Sequence, residues 1–133
     1  MSAFKLAPLA AVAALALLPV GAAAQGNQVT VIPVELSEFK FTPSDITLSK
    51  GQHYVLRLTN GGKHDHSLSA QAFFKTVAVD ADSASAVKDG EIDLTPGVAA
   101  DVGFTPQTAG TYEMHCTHPL HAMLGMTGHI VVR

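Results

Sequence analysis

From Val29 onward, apolar residues recur at every second position in runs too short and too regular to suit a helix. A strand turns successive side chains to opposite faces, so each run can bury one face and wet the other. Ile32, Val34 and Leu36 share a face within Val29–Leu36, and Pro33 restricts that run to an edge or a kinked strand. Phe39 and Phe41 alternate with charged neighbours. His53–Asn60 is the clearest run, with Tyr54, Leu56 and Leu58 expected inward and His53, Val55, Arg57 and Thr59 outward. Thr42-Pro43-Ser44, Lys50-Gly51, Asn60-Gly61-Gly62-Lys63, Asp89-Gly90 and Pro96-Gly97 are turn signals between runs. Val98–Phe104 should direct Val98, Val102 and Phe104 inward, and Thr111–Cys116 and Thr127–Val132 read as the last two strands. About eight short strands at regular spacing predict an all-β sandwich. Gln71–Lys88 breaks the pattern and reads as a short irregular or helical insert around 71–88. Phe73 and Phe74 should face the core there, and Ala81–Val87 is open to helix or loop.

A segment of different character precedes the alternation. Met1–Ala24 combines Lys5, an Ala/Leu-rich apolar run over Leu6–Val20 and the small residues Ala22-Ala23-Ala24. That is the pattern of a signal peptide cleaved near Ala24 for export. An uncleaved membrane anchor is the alternative, and would be the chain's one contact with a membrane. Pro8, Pro19 and Gly21 speak against a stable spanning helix. No cysteine follows the apolar run, which excludes a lipid-anchored form. Removing 24 of the 133 residues leaves a 109-residue domain at 25–133, large enough to bury a core without disulfides. The net charge of −3, or −4 without Lys5, comes with no basic patch. Nucleic acid and anionic membrane are therefore not expected partners.

The chemistry is concentrated in Tyr112–Gly128, which holds the single cysteine, Cys116, with three of the seven histidines and three of the four methionines. Four residues separate Cys116 from His121, and four separate His121 from Met126. A lone cysteine in an exported chain calls for an explanation in an oxidising compartment, and the ligands around it supply one. With one more histidine from elsewhere, the set becomes two imidazoles, a thiolate and a weak thioether, the donors of a type 1 blue copper site. Zinc fits less well, since structural zinc sites use more cysteines and catalytic ones do not use methionine. His64-Asp65-His66 sits where a strand begins and is the source of the remaining imidazole. Alternation places Tyr112, Met114 and Cys116 on one face and Glu113 and His115 on the other, so His115 should not reach the ion that Cys116 holds.

Cys-Thr-x-Pro-x-His-x-x-x-Gly-Met-x-Gly, running from Cys116 to Gly128, resembles the ligand loop of the small periplasmic cupredoxins, the plastocyanin/azurin-like family. Phe-x-Pro, Lys-Gly, Thr-Asn before the histidine, Pro-Gly and Gly-Thr-Tyr-x-x-x-Cys follow in the family's order. The resemblance implies a Greek-key cupredoxin sandwich and one copper held by His66, Cys116, His121 and Met126. His66 is favoured over His64 because Ser67 and Leu68 follow it, as in similar proteins. The likeness also implies that Ser67 and Thr117 bond across two loops around the metal, and that Gly125-Met126 rather than Met123 supplies the thioether. His115-Cys116 resembles the pair that relays electrons to a second copper in multicopper enzymes of related fold. His64, His115 and His118 are thus candidates for a second copper, against the plainer reading of solvated or hydrogen-bonded histidines. His53 and His129 read as surface histidines.

Three functions compete. In the favoured one, a periplasmic monomer shuttles single electrons. It docks transiently on redox partners, a cytochrome or a copper enzyme, through the exposed edge of His121 and the apolar Pro119, Leu120, Ala122, Met123 and Leu124. The second is copper homeostasis or tolerance, suggested by the surplus histidines and methionines. The third, a small copper oxidase or nitrite reductase, ranks last, because such catalysis needs an open second metal site. The chain is not expected to be an enzyme.

Overall fold

A computed structural model describes residues 28–133, so the Met1–Ala24 signal segment lies outside the described residues. The strands are β1 (Thr30–Ser37), β2 (Lys40–Thr42), β3 (Asp45–Leu48), β4 (Tyr54–Asn60), β5 (His66–Ser69), β6 (Val77–Val79), β7 (Glu91–Leu94), β8 (Ala99–Pro106), β9 (Gly110–His115) and β10 (Thr127–Val132). They form two five-stranded sheets, ordered β2-β1-β4-β8-β6 and β3-β10-β9-β5-β7. The expected β-sandwich is present, with ten strands among the described residues rather than about eight. β2 and β6 have three residues each, too few to display a period. Only the β1–β2 and β9–β10 connections stay within a sheet; each of the others carries the chain to the opposite sheet. The insert resolves into a one-turn helix α1 (Gln71–Phe74), β6 and a 3-10 turn at Ala84–Ala86. No helix among the described residues is long and apolar enough to cross a membrane.

The alternation in the sequence becomes the core. Val34, Leu36, Leu56, Leu58, Val102, Phe104, Ile130 and Val132 are buried between the sheets, and their strand neighbours are more exposed. Truncating any of the fully buried leucines to alanine costs about 2–5 kcal/mol. Phe73 is fully buried and meets Phe104 and Tyr112 edge-on, at ring distances of 5.4 and 5.6 Å, so α1 plugs the sandwich. Pro33 falls in the half of β1 that has β4 alone as a neighbour, because pairing to β2 begins at Glu35. That is where a residue without an N–H is tolerated. Val98 departs from expectation: it is exposed, in the turn where its N–H donates to Thr95 before β8 begins.

Sheet order fixes where the site lies. β9 is antiparallel to both β5 and β10. The start of β5, the end of β9 and the start of β10 therefore share one end of one sheet. His66 opens β5, Cys116 follows β9 and Met126 precedes β10. Gly128 keeps this end closed. A Cβ there would stand 2.0 Å from the Ser44 carbonyl oxygen and 2.6 Å from the Met114 methyl, so no larger residue fits.

Candidate metal centre

The ligand loop is held by its own backbone. The Cys116 N–H donates to the Met126 carbonyl at 3.1 Å, and the Met126 N–H donates to the His121 carbonyl at 3.0 Å. Residues distributed along the loop are thereby pinned together. Leu120 takes a φ of 68°, a left-handed conformation unusual for a branched residue, immediately before His121. The far side is set by Asn60, which is fully buried. Its amide donates to the His64 and Leu94 carbonyls, both at 2.9 Å, and its oxygen accepts the Gly62 N–H at 2.9 Å. Those three bonds shape the loop that delivers His66.

One donor atom each from His66, Cys116 and His121 lie within 4.8 Å of one another. Cys116 Sγ is 3.4 Å from His121 Nδ1, and the His66 and His121 rings are 4.9 Å apart, tilted by 51°. Met126 is fully buried beside them. Both ring nitrogens of His66 are buried without a formed hydrogen bond. Glu38 Oε1 lies 3.5 Å from Nε2, the outer limit of such a bond. Nε2 faces Gly62 and Glu38, which leaves Nδ1 for the cluster. A buried polar atom without a partner costs about 1–3 kcal/mol, and an ion seated among the three donors would satisfy it. Donor set, burial and spacing thus fit copper, and the cluster is consistent with a type 1 site.

The Ser67 N–H points at Cys116 Sγ, 3.4 Å away. Ser67 Oγ accepts the Thr117 N–H at 3.0 Å and lies 3.0 Å from Thr117 Oγ1. Thr117 Oγ1 donates its proton to Glu91, so the Ser67 hydroxyl is free to donate to Thr117 Oγ1 or to Cys116 Sγ, 3.8 Å away. Ser67, Thr117 and Glu91 thus link the β5 strand, the ligand loop and β7 through side-chain contacts. Burial holds the His121 imidazole below the usual histidine range, reinforced by the neighbouring His66, His118 and His64 and opposed by Glu38.

The remaining histidines stand apart from the cluster. His64 Nδ1 is 3.1 Å from Glu38 Oε1, His118 Nε2 is 2.8 Å from Asp93 Oδ1, and His115 is exposed on β9. The His118 ring is 5.7 Å from that of His121. His53 and His129 pair with Asp80 and Asp45. Met123 is 84% exposed, and Met114 is core. Sequence reasoning missed Glu38 and Phe39, the turn joining β1 to β2. Phe39 packs on His121 with ring centroids 4.9 Å apart. Glu38 accepts N–H bonds from Lys63 and His64, and the Lys63 bond, first among several, lowers its carboxyl to about 2.

A two-sheet sandwich with a His-Cys-His-Met cluster at one end, buried except at His121, defines a cupredoxin-like protein with an apparent type 1 copper site. A family model described as a cupredoxin-like domain matches residues 8–132, and the chain belongs to that family. It is 30% identical over 114 residues to the copper-resistant cuproprotein CopI of Rubrivivax gelatinosus, covering 80% of this chain and 67% of that one. Among solved structures, the reduced auracyanin of Roseiflexus castenholzii superposes with a TM-score of 0.59 at 21% identity, over 78% of this chain and 97% of that one. Auracyanin A of Chloroflexus aurantiacus, a blue copper protein, gives 0.56 at 23% identity, over 78% and 98%. At these identities the structural likeness speaks for the fold.

Proposed function

We propose that the chain is an exported single-electron carrier that binds one copper ion through His66, Cys116, His121 and Met126. Bound copper would supply a Cu(I)/Cu(II) couple, with soft sulfur favouring the reduced ion and imidazole serving both. The chain's residues do the rest. Backbone bonds among Cys116, His121 and Met126 hold the donors where they are, and the fully buried His66 and Met126 keep water from them. The observation that carries the reading is the partly exposed His121, a donor at the surface, collared by Leu120, Met123 and Leu124 at 65, 84 and 58% exposure. An apolar collar around a conducting edge suits the small, weak interfaces through which redox proteins meet and part. The Met1–Ala24 pattern supports export to the periplasm. Nothing in this donor set calls for catalysis, since carriage needs no open metal position.

Copper tolerance is the second reading, favoured by the likeness to a protein named for copper resistance. Loading the mature domain with Cu(II) and recording metal content, visible absorption and electron self-exchange separates the two. A carrier gives one copper per chain, a strong thiolate-to-copper band absent in Cys116→Ser, and fast exchange. More than one tightly held copper, or slow exchange, favours handling. No thiolate band at all refutes both the ligand set and the carrier.

A further inference from the structure

Glu38 is not a metal donor, yet four contacts from the site's far wall converge on its Oε1. The Lys63 and His64 N–H groups donate to it, the latter at 3.0 Å, His64 Nδ1 lies at 3.1 Å, and His66 Nε2 at 3.5 Å. The residue comes from the β1–β2 turn, whose strands belong to the sheet opposite the one that carries His66 and Cys116. Gly62 makes room for the approach. A Cβ there would stand 2.8 Å from both His66 Nε2 and Glu38 Oε1, so any side chain would have to push the two apart. His66 is fully buried and no formed hydrogen bond reaches its Nε2. The neighbouring Phe39 steadies His121, so one turn braces both imidazoles.

We infer that Glu38 is a positioning residue for the metal centre. Its carboxylate, 3.5 Å behind His66 Nε2, favours the tautomer that carries the proton there and leaves the Nδ1 lone pair for Cys116 and His121. This rests on the copper reading above. A carboxylate behind a ligating imidazole fixes ring orientation and raises its basicity, and losing such a partner typically costs ten- to a hundredfold in metal affinity. The added basicity and the negative charge both favour Cu(II) over Cu(I). Removing them should raise the reduction potential.

The test compares the wild-type domain with Glu38→Gln, which keeps an oxygen acceptor and loses the charge, and Glu38→Ala, which loses both. Nitrogen-15 shifts of the His66 ring in the copper-free protein should show the Nε2–H tautomer in the wild type and in Glu38→Gln, and a mixture in Glu38→Ala. Cu(II) affinity should fall about tenfold to a hundredfold in Glu38→Ala and less in Glu38→Gln. The potential should rise in both, by about 59 mV for each tenfold by which Cu(II) binding falls more than Cu(I) binding. Should Glu38→Ala fail to fold, the isosteric Glu38→Gln carries the test. A wild-type potential in Glu38→Gln, or an unaltered His66 tautomer in folded Glu38→Ala, overturns the inference. Loss of the thiolate band from the wild type would instead defeat the copper reading, leaving the tautomer measurement to judge Glu38 alone.

Discussion

Asn60 offers a test of how the His66 side of the cage is held. The side chain is fully buried and every polar atom it has is engaged. Two carbonyls and one N–H surround it, which fixes the amide orientation without ambiguity. Asn60→Ala removes all three bonds. The Leu94 carbonyl is in the buried part of the contact, and stripping one buried acceptor costs about 1–3 kcal/mol. The His64 carbonyl and Gly62 N–H lie nearer solvent, and water can replace most of what they lose. The total comes to about 2–4 kcal/mol, a large share of the 5–15 kcal/mol by which a domain is normally stable. Asn60→Asp should be worse at neutral pH despite being nearly isosteric. A carboxylate can still accept the Gly62 N–H, but it sets anionic oxygens against two carbonyls in a buried place. Acidification should narrow its deficit, because a protonated carboxyl donates one bond. Urea unfolding of the copper-free domain reads both effects, with an unchanged slope expected because the exposed surface is the same. An Asn60→Ala domain within about 0.5 kcal/mol of wild type, or Asn60→Asp more stable than Asn60→Ala at neutral pH, refutes this account.

Acid should weaken the copper-free fold in two stages. The folded protein holds His121 below its unfolded pKa, so the unfolded chain binds the extra proton and stability falls as pH drops through about 6.5 and below. Glu38 is lowered from 4.5 to about 2, so its contribution is complete above about 4.5 and lost on the way down to 2. Urea midpoints against pH should show both limbs, and Glu38→Gln should shrink the lower one, to which Asp101, bonded to Arg57, also contributes. Ser67→Ala should cost about 1–2 kcal/mol by orphaning the Thr117 N–H, and Thr117→Val less, since its hydroxyl chain ends on a partly exposed carboxylate. Thermal unfolding of the two variants checks the order. Leu120→Gly relieves a left-handed leucine, a gain of about 1 kcal/mol that the freer unfolded chain offsets. Stability should hardly move, while electron exchange with a redox partner, followed by stopped flow, slows as the apolar collar shrinks.

The sandwich was legible because period two is a direct image of strand geometry, and long runs such as Tyr54–Asn60 state it without ambiguity. The misreadings have local causes. Val98 has a strand-forming side chain but sits in the turn before β8, and three-residue strands such as β2 and β6 carry no period to detect. In the site, Cys116, His121 and Met126 announce themselves because one short loop holds all three. Choosing His66 over His64, and pairing Ser67 with Thr117 across 50 residues, needed the family likeness as well. Glu38 was invisible. An acidic residue in a tight turn reads as solvated, and only the folded chain brings it to Lys63, 25 residues away, and to the rear of His66.

The cage is assembled by contacts that owe nothing to a metal. Asn60 sets the loop before His66, the Ser67 N–H fixes the place of Cys116 Sγ, and Met126 closes on Cys116 and His121 through the backbone. Against these gains stand two unpartnered nitrogens on His66 and a leucine in a left-handed conformation, each unfavourable by roughly 1 kcal/mol or more. A fold optimised for stability alone would place an apolar residue at position 66. Keeping both liabilities while anchoring everything around them is what a site needs if its geometry is to stay the same when the charge it encloses changes by one. The stiffness comes from the sandwich, so an electron could arrive or leave with little rearrangement of the donors.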